Sequence, residues 1–246
     1  MSFSNLILQN VTGPISISVG PSTRSTQSPP ASPETPRPPG IVRNISFSNI
    51  HGTVIGNPPP LPDYPFTSAY RPGEIRSCIV VNAVGDSIVE NVTFDNVHLT
   101  FEGGATAEQA AVREVPAVAG EYFVLGPLPA YALYARNARG LTLQNVRFEV
   151  SQPDLRPAVI FDHVTDATIN GMSVQGNSQA ESVLRFIDSR EILLTAARLL
   201  TSAGTFLRLE GAGNKGITID GGDLSNAARA VVYTSGATDG SVRVRA

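Results

Sequence analysis

The sequence predicts an all-β chain folded as a right-handed parallel β-helix, a solenoid of about seven to eight coils with three long loop insertions. Eight short apolar strands share one register, with Phe3, Phe47, Phe94, Leu143, Ile169, Leu194, Ile219 and Val244 as one column. The last four members follow one another at a constant spacing of 25 residues. Such a period is typical of a solenoid, in which each repeat buries its apolar face only against its neighbours.

Within the repeats, apolar and polar residues alternate, as in Leu141-Thr142-Leu143 and Ile217-Thr218-Ile219. A period of two indicates β-strands that point one set of side chains inward and the other outward. One full coil is predicted from strands at 158–161, 167–169 and 172–174, followed by a polar turn at 176–179. The sequence has neither the leucine-rich consensus nor the helical return segments of a leucine-rich horseshoe, so that alternative is disfavoured.

A second column, two residues after the first, explains how the strands bend. Its members are Asn5, Asn49, Asn96, Asn145, Gly171, Ala196 and Gly221. Gly and Asn adopt a left-handed backbone conformation with least strain, which a sharp bend between strands requires. Stacked Asn side chains can also hydrogen-bond to one another along the stack. Ala196 is the exception and predicts a weaker or reshaped turn.

Three insertions interrupt the period, at 20–40, 57–75 and 103–130. The first is rich in Pro, Ser and Thr and predicts a flexible, partly polyproline loop. The third contains a short helix-like stretch, Thr106–Val112. Because the second and third insertions leave the same corner of successive coils, we expect them to lie side by side.

The second and third insertions carry the predicted substrate-binding residues, which combine tyrosines with charged side chains. These are Tyr64, Tyr70, Arg71, Arg113, Glu121, Tyr122 and, at the exit of the third insertion, Tyr131. Sugars present C–H faces that stack on tyrosine rings, and uronate carboxylates pair with arginine. The two insertions therefore predict a sugar-binding wall; the alternative is that they only shield one flank of the helix.

Composition limits the other classes of function. The 246 residues form one predicted domain, 1–246, and a net charge of −3 gives no basic footprint for nucleic acid. No apolar run is long enough to span a membrane, and no motif predicts a metal or a cofactor. Of 18 cationic residues only Lys215 is a lysine, which suits acidic sugars but also follows from an arginine-biased genome. The single cysteine, Cys78, is predicted to be a packed thiol.

The N-terminal sequence has no secretory signal, because Met1 to Asn5 already lies inside a predicted coil. The location of the protein in or outside the cell therefore stays open. A first coil without a cap would expose an apolar edge. We therefore expect the chain to be the C-terminal section of a longer protein, or a product whose start is assigned too far downstream.

Several stretches resemble the later coils of glycoside hydrolase family 28, the polygalacturonase and rhamnogalacturonase family of pectin-degrading enzymes. They are 2–14 (SFSNLILQNVTGP), 45–50 (ISFSNI) and 92–106 (VTFDNVHLTFEGGAT). The stretches 113–136 (REVPAVAGEYFVLGPLPAYALYAR) and 140–157 (GLTLQNVRFEVSQPDLRP) resemble its bacterial branch. The resemblance implies a β-helix, an acidic plant cell-wall polysaccharide (pectin) as substrate, no cofactor, and secretion or a periplasmic location.

The catalytic motifs of that family are missing from this chain. Its members invert stereochemistry with aspartates in Asn-Thr-Asp and Asp-Asp motifs, followed by Gly-His-Gly and Arg-Ile-Lys, and none of these occurs here. Such enzymes need an acid and a base carboxyl about 6.5–9.5 Å apart. No catalytic residue is therefore assigned, and we expect the chain alone not to hydrolyse polygalacturonate.

Asp162 and Asp188 lie near equivalent positions of neighbouring coils and form the one pair of carboxylates that we considered for catalysis. Aspartates just after a strand end more often cap a turn, and the same structural role is expected for His163.

Two classes of function remain: a family 28 hydrolase whose catalytic half is absent from the chain, and a non-catalytic β-helix that binds polysaccharide. A structural surface module is disfavoured by the long loops.

Overall fold

The computed structural model describes residues 1–20, 39–59 and 71–245. In this part of the chain, seventeen strands form two sheets in which every pairing is parallel, so the prediction of an all-β chain with parallel strands is confirmed. Sheet A contains β1 (Ser2–Val11), β3 (Ile41–Val54), β5 (Ile88–Gly103), β7 (Ala138–Gln144), β8 (Arg147–Gln152), β10 (Thr165–Asn170), β11 (Ser173–Val174), β13 (Arg190–Leu199), β15 (Lys215–Asp223) and β17 (Val242–Arg245). Sheet B contains β2 (Ser16–Val19), β4 (Ile79–Ala83), β6 (Leu133–Arg136), β9 (Val159–Asp162), β12 (Leu184–Ile187), β14 (Leu207–Glu210) and β16 (Val231–Thr234).

The chain passes repeatedly from sheet A to sheet B and back. In the described part of sheet B, each strand between the outermost β2 and β16 pairs with the strands of the preceding and following repeats. Long strands of sheet A bend in the middle. The first half of β5 pairs with β7 up to Asp95, and its second half pairs with β8 from His98 onward. The bend falls at Asn96, where φ is +53°.

The predicted register is present in sheet A. Each member of the first column pairs with the next, from Phe3 opposite Phe47 to Ile219 opposite Val244. The prediction that all eight are buried is wrong at the two ends, because Phe3 is 39% exposed and Val244 is 50% exposed. Among the described residues, these two lie on the outermost strands of sheet A, so each has a strand neighbour on one side only.

The second column adopts the predicted left-handed conformation at all seven positions, with φ between +48° and +68°. Ala196 does so too, at φ +51°, so the expectation of a reshaped turn there is wrong. The four asparagines form the predicted ladder, in which each Nδ2 donates to the Oδ1 of the preceding repeat. The distances are 3.2 Å from Asn49 to Asn5, 2.9 Å from Asn96 to Asn49 and 3.2 Å from Asn145 to Asn96.

The interior between the sheets is filled by aliphatic side chains and by stacked rings. Phe47 stacks on Phe3 and on Phe94, with centroid distances of 5.1 and 5.3 Å. Cys78 is fully buried, and burial raises the pKa of its thiol to about 12, which agrees with the predicted packed thiol.

Short helices occur mainly in the insertions. Helix α1 (Ala107–Ala110) lies within the stretch predicted to be helix-like, and its N-terminal residue Thr106 accepts a hydrogen bond from Gln109 N. Single 3-10 turns lie at Pro72–Glu74, Tyr122–Leu125 and Asp239–Ser241. The loop predicted at 20–40 falls largely outside the described residues.

Candidate functional site

Sheet B presents a polar row on the face opposite the core. Its inward side chains include Phe161 and Phe186, whose rings stack with centroids 4.9 Å apart. Because side chains alternate along a strand, the neighbours of these two residues point away from the core. Two outward columns result: Ser16, Val80, Tyr134, Ile160, Arg185, Arg208 and Val232 in one, and Ser18, Asn82, Arg136, Asp162, Ile187, Glu210 and Thr234 in the other. We call this surface the outer face of sheet B.

The third insertion covers the N-terminal part of this face. Arg136, 9% exposed, donates from Nη1 to Val115 O and from Nη2 to Pro116 O, each at 2.8 Å. It also donates to Asn82 Oδ1, and Asn82 Nδ2 donates to Val118 O at 2.9 Å. These bonds fix the insertion on the sheet, because they satisfy polar groups that burial would otherwise leave unpaired.

Arg185 lies further along the outer face and is only 2% exposed. Its Nε is 3.0 Å from Glu210 Oε2, but the approach is out of line for a hydrogen bond, and its Nη1 has no acceptor among the described residues. Glu210 also pairs with Arg208, whose Nε is 2.6 Å from Oε1. Burial lowers the pKa of the Arg185 guanidinium, and the nearby Glu210 opposes this. A buried guanidinium with an unpaired N–H group is costly, so this position favours an additional acceptor.

An ion pair from the third insertion lies close to Arg185. Arg113 Nη2 is 2.5 Å from Glu181 Oε2, and both side chains are more than one-third exposed. Their charges act on Arg185 strongly enough to affect its pKa. Since exposed ion pairs contribute little stability, breaking this pair costs little.

Tyr134 links the covered and the open parts of the face. Its hydroxyl donates to Asp162 Oδ2 at 3.0 Å, and the guanidinium carbon of Arg136 lies 5.9 Å from its ring centroid. Burial, and then the neighbouring Asp162 carboxylate, raise the pKa of Tyr134 well above its ordinary value. The phenol therefore stays protonated and donates its hydrogen bond to Asp162.

Two of the predicted binding residues hold the insertions together. The guanidinium carbon of Arg71 lies 4.1 Å from the ring centroid of Phe123, so the second and third insertions meet here, as predicted. Gly73 contributes to the contact, because a Cβ at that position would come 2.2 Å from Phe123 O. Tyr122 Oη lies 2.6 Å from Thr12 Oγ1, which ties the third insertion to the start of the chain.

The other predicted binding residues are dispersed. Tyr131 is 3% exposed and donates to Gln175 O at 2.7 Å, so its hydroxyl is occupied inside the protein and we remove it from the proposed surface. Glu121 is exposed at the start of the 3-10 turn Tyr122–Leu125. Tyr64 and Tyr70 lie outside the described residues. Among the members of the predicted set that the structure describes, only Arg113 lies near the charged part of the outer face.

Both aspartates considered for catalysis make structural bonds. Asp162 accepts from Tyr134 and lies 2.6 Å from Nδ1 of the exposed His163. Asp188 accepts from Gly213 N at 2.7 Å, as expected for a turn-capping residue. Asp162 pairs with Ile187 in the sheet, so Asp188 is equivalent to His163 and not to Asp162. The near-equivalence inferred from the sequence is thus off by one residue.

Arg185, Arg208 and Glu210 are not among the residues predicted from the sequence, although a signal for them exists. Arg185 interrupts the apolar run 183–186, and Arg208 and Glu210 alternate with leucines in 207–210. Strand alternation alone places these three side chains opposite the core. Their association with Arg113 and Glu181 depends on the path of the third insertion, which has no period.

Within the described ranges, no group of three or more His, Cys, Asp or Glu side chains is placed to hold a metal ion. In the same part of the chain, no helix is long and apolar enough to cross a membrane. Comparisons with protein-family models, with curated proteins and with solved structures found no match.

Proposed function

We propose that the chain is a right-handed parallel β-helix of about seven to eight coils, related to the pectin-degrading hydrolases of glycoside hydrolase family 28. Two parallel sheets joined by alternating crossovers support the helix, as do the constant spacing and the asparagine ladder. The relationship to family 28 rests on the stretches quoted above, among them 45–50 and 92–106.

On this helix, the chain binds an acidic polysaccharide along the outer face of sheet B. The observation that carries the proposal is Arg185, a buried guanidinium whose Nη1 has no acceptor within the described residues. A carboxylate of a uronic acid supplies the missing acceptor, since guanidinium and carboxylate form short, charge-assisted hydrogen bonds. Arg113 and Arg208 beside it add positive charge.

Cleavage is not part of the proposed function of this chain alone. Asp162 is engaged by Tyr134 and His163, and Glu210 lies between Arg185 and Arg208. An inverting hydrolase needs one carboxylic acid and one carboxylate that are free to act on the substrate, whereas these two carboxylates are engaged by neighbouring side chains. Binding without hydrolysis is therefore the expected activity.

Arg185→Leu tests the proposal by titration with oligogalacturonide in a calorimeter. Loss of a charge-assisted bond worth about 1.5–3 kcal/mol weakens binding by roughly tenfold to a hundredfold. The melting temperature is expected to change little, since Glu210 keeps its ion pair with Arg208 when Arg185 is removed. Methyl-esterified oligogalacturonide, which lacks the carboxylate charge, is expected to bind the unchanged protein equally weakly.

Arg139→Leu is the matched control, because Arg139 is an ion-paired arginine on sheet A, away from the outer face of sheet B. It is expected to retain full affinity. Equal affinities of Arg185→Leu and the unchanged protein would contradict the proposal, and so would a preference for the esterified ligand.

A further inference from the structure

One stretch of the third insertion is attached to the rest of the protein far more weakly than the residues on either side of it. Residues 106–114, which include helix α1, contain no buried residue. Before this stretch, Ala105 is buried and its N donates to Asp154 Oδ2 at 3.3 Å. After it, Val115 packs against the core and its O accepts from Arg136 Nη1 at 2.8 Å. We call the stretch between these two anchors the 106–114 segment.

The hydrogen bonds of the 106–114 segment are almost all internal. Thr106 N donates to Gln109 Oε1 at 3.1 Å, and Gln109 N donates to Thr106 Oγ1 at 3.4 Å. The main-chain bonds of helix α1 and its C-terminal turn also stay within the segment. In the described part of the chain, the contact of Arg113 with Glu181 is the single hydrogen bond or ion pair that joins the segment to another element. The segment can therefore move as a unit when this one contact breaks.

The contact that holds the segment lies beside Arg185. This arginine points away from the core but is only 2% exposed, so neighbouring groups cover it. Arg113 and Glu181 both lie close enough to Arg185 for their charges to act on its guanidinium. The weakest attachment of the third insertion and the guanidinium whose Nη1 lacks an acceptor among the described residues are therefore neighbours.

We propose that the 106–114 segment is a lid over Arg185, latched by Arg113 to Glu181, and that it opens to admit a uronate carboxylate. The lid rests on the proposed function, because it regulates access to that binding site. Glu181 offers Arg113 the same chemical group as the ligand does, so a bound uronate can replace it at the guanidinium. The ligand shifts the lid from the latched to the open form only because it binds the open form better.

Modification of arginines by phenylglyoxal, mapped by mass spectrometry, measures access to Arg185 without any polysaccharide. Glu181→Gln and Arg113→Gln each remove one charge of the latch. Each is expected to raise the rate of Arg185 modification by roughly twofold to fivefold, the factor that corresponds to loss of an exposed ion pair. Glu149→Gln is the matched control, because it breaks a similarly exposed ion pair with Arg147 on sheet A. It is expected to leave the rate at Arg185 unchanged.

The two latch substitutions change the local charge in opposite directions, which separates a lid from a purely electrostatic effect. If charge alone controls the reactivity of Arg185, Glu181→Gln and Arg113→Gln shift the rate in opposite directions, and that result would overturn the lid. Unchanged rates in both variants would overturn it as well. Calorimetric titration of the unchanged protein with oligogalacturonide is read separately: absence of binding contradicts the proposed function, whereas the phenylglyoxal rates alone decide whether the segment covers Arg185.

Discussion

The backbone at Ala196 is in the left-handed region, at φ +51°, where the equivalent positions before and after it are Gly171 and Gly221. A non-glycine residue in this conformation costs about 1–2 kcal/mol. Glycine removes that cost but adds about 0.5–1 kcal/mol of conformational entropy lost on folding. The Ala196 side chain is exposed, so its loss uncovers no buried surface. We therefore predict that Ala196→Gly stabilises the protein by about 0.5–1 kcal/mol.

The neighbouring Ala197 provides the matched control. It is 1% exposed in the core and is not among the positive-φ residues. Ala197→Gly loses a buried methyl group, worth about 0.8 kcal/mol, and adds the entropy cost of glycine. The control is therefore expected to destabilise the protein by about 1.5 kcal/mol.

Urea unfolding followed by circular dichroism measures both effects. The midpoint is expected to rise for Ala196→Gly and to fall for Ala197→Gly, with unchanged slopes. Destabilisation by both substitutions would refute the assignment of strain to Ala196, because the two alanines would then differ only in the methyl contacts that they lose.

Three further predictions concern the stacked strands of sheet A. Ile169→Asp buries an unpaired carboxyl between Leu143 and Leu194, so it is expected to lower the free energy of unfolding in urea by several kcal/mol. Leu193→Asp is the control and costs much less, because Leu193 is 40% exposed. Asn96→Gly keeps the bend but loses two ladder bonds, for an expected loss of about 1 kcal/mol in the same assay. Burial, and then the neighbouring His51, lower the pKa of His98 below its ordinary 6.5. Below pH 6.5 the unfolded chain therefore binds a proton that the folded chain resists, and stability falls as the pH falls. This acid-side loss is expected to diminish in His98→Gln, and an unchanged pH dependence would contradict it.

Periodicity predicted the strands and bends from the sequence because both depend on contacts between equivalent residues of adjacent repeats. Phe47 pairs with Phe94, and Asn96 donates a hydrogen bond to Asn49. Both partners of each interaction therefore occupy the same position of the sequence repeat. A second left-handed column was overlooked. Its members are Asn44, Asn91, Gly140, Asp166, Glu191 and Gly216. Asp166 and Glu191 interrupt the Asn and Gly of this column, and glutamate is not a residue type that indicates a left-handed backbone.

The candidate site was predicted less well, since its contacts join segments far apart in the chain. Arg113 meets Glu181 and Tyr122 meets Thr12 only because the third insertion folds back on the sheets. Tyr131 was assigned to the surface from its residue type, but its position just before β6 turns it inward. Alternation within the strands would have identified Arg185, yet not the acceptor missing from its Nη1.

A crystal structure of this chain grown with an oligogalacturonide tests the central claim most directly. We predict density along the outer face of sheet B, with a uronate carboxylate within hydrogen-bond distance of Arg185 Nη1 and an intact glycosidic chain. Ligand density elsewhere, with Arg185 still lacking an acceptor, would contradict the account, as would a cleaved ligand on this face.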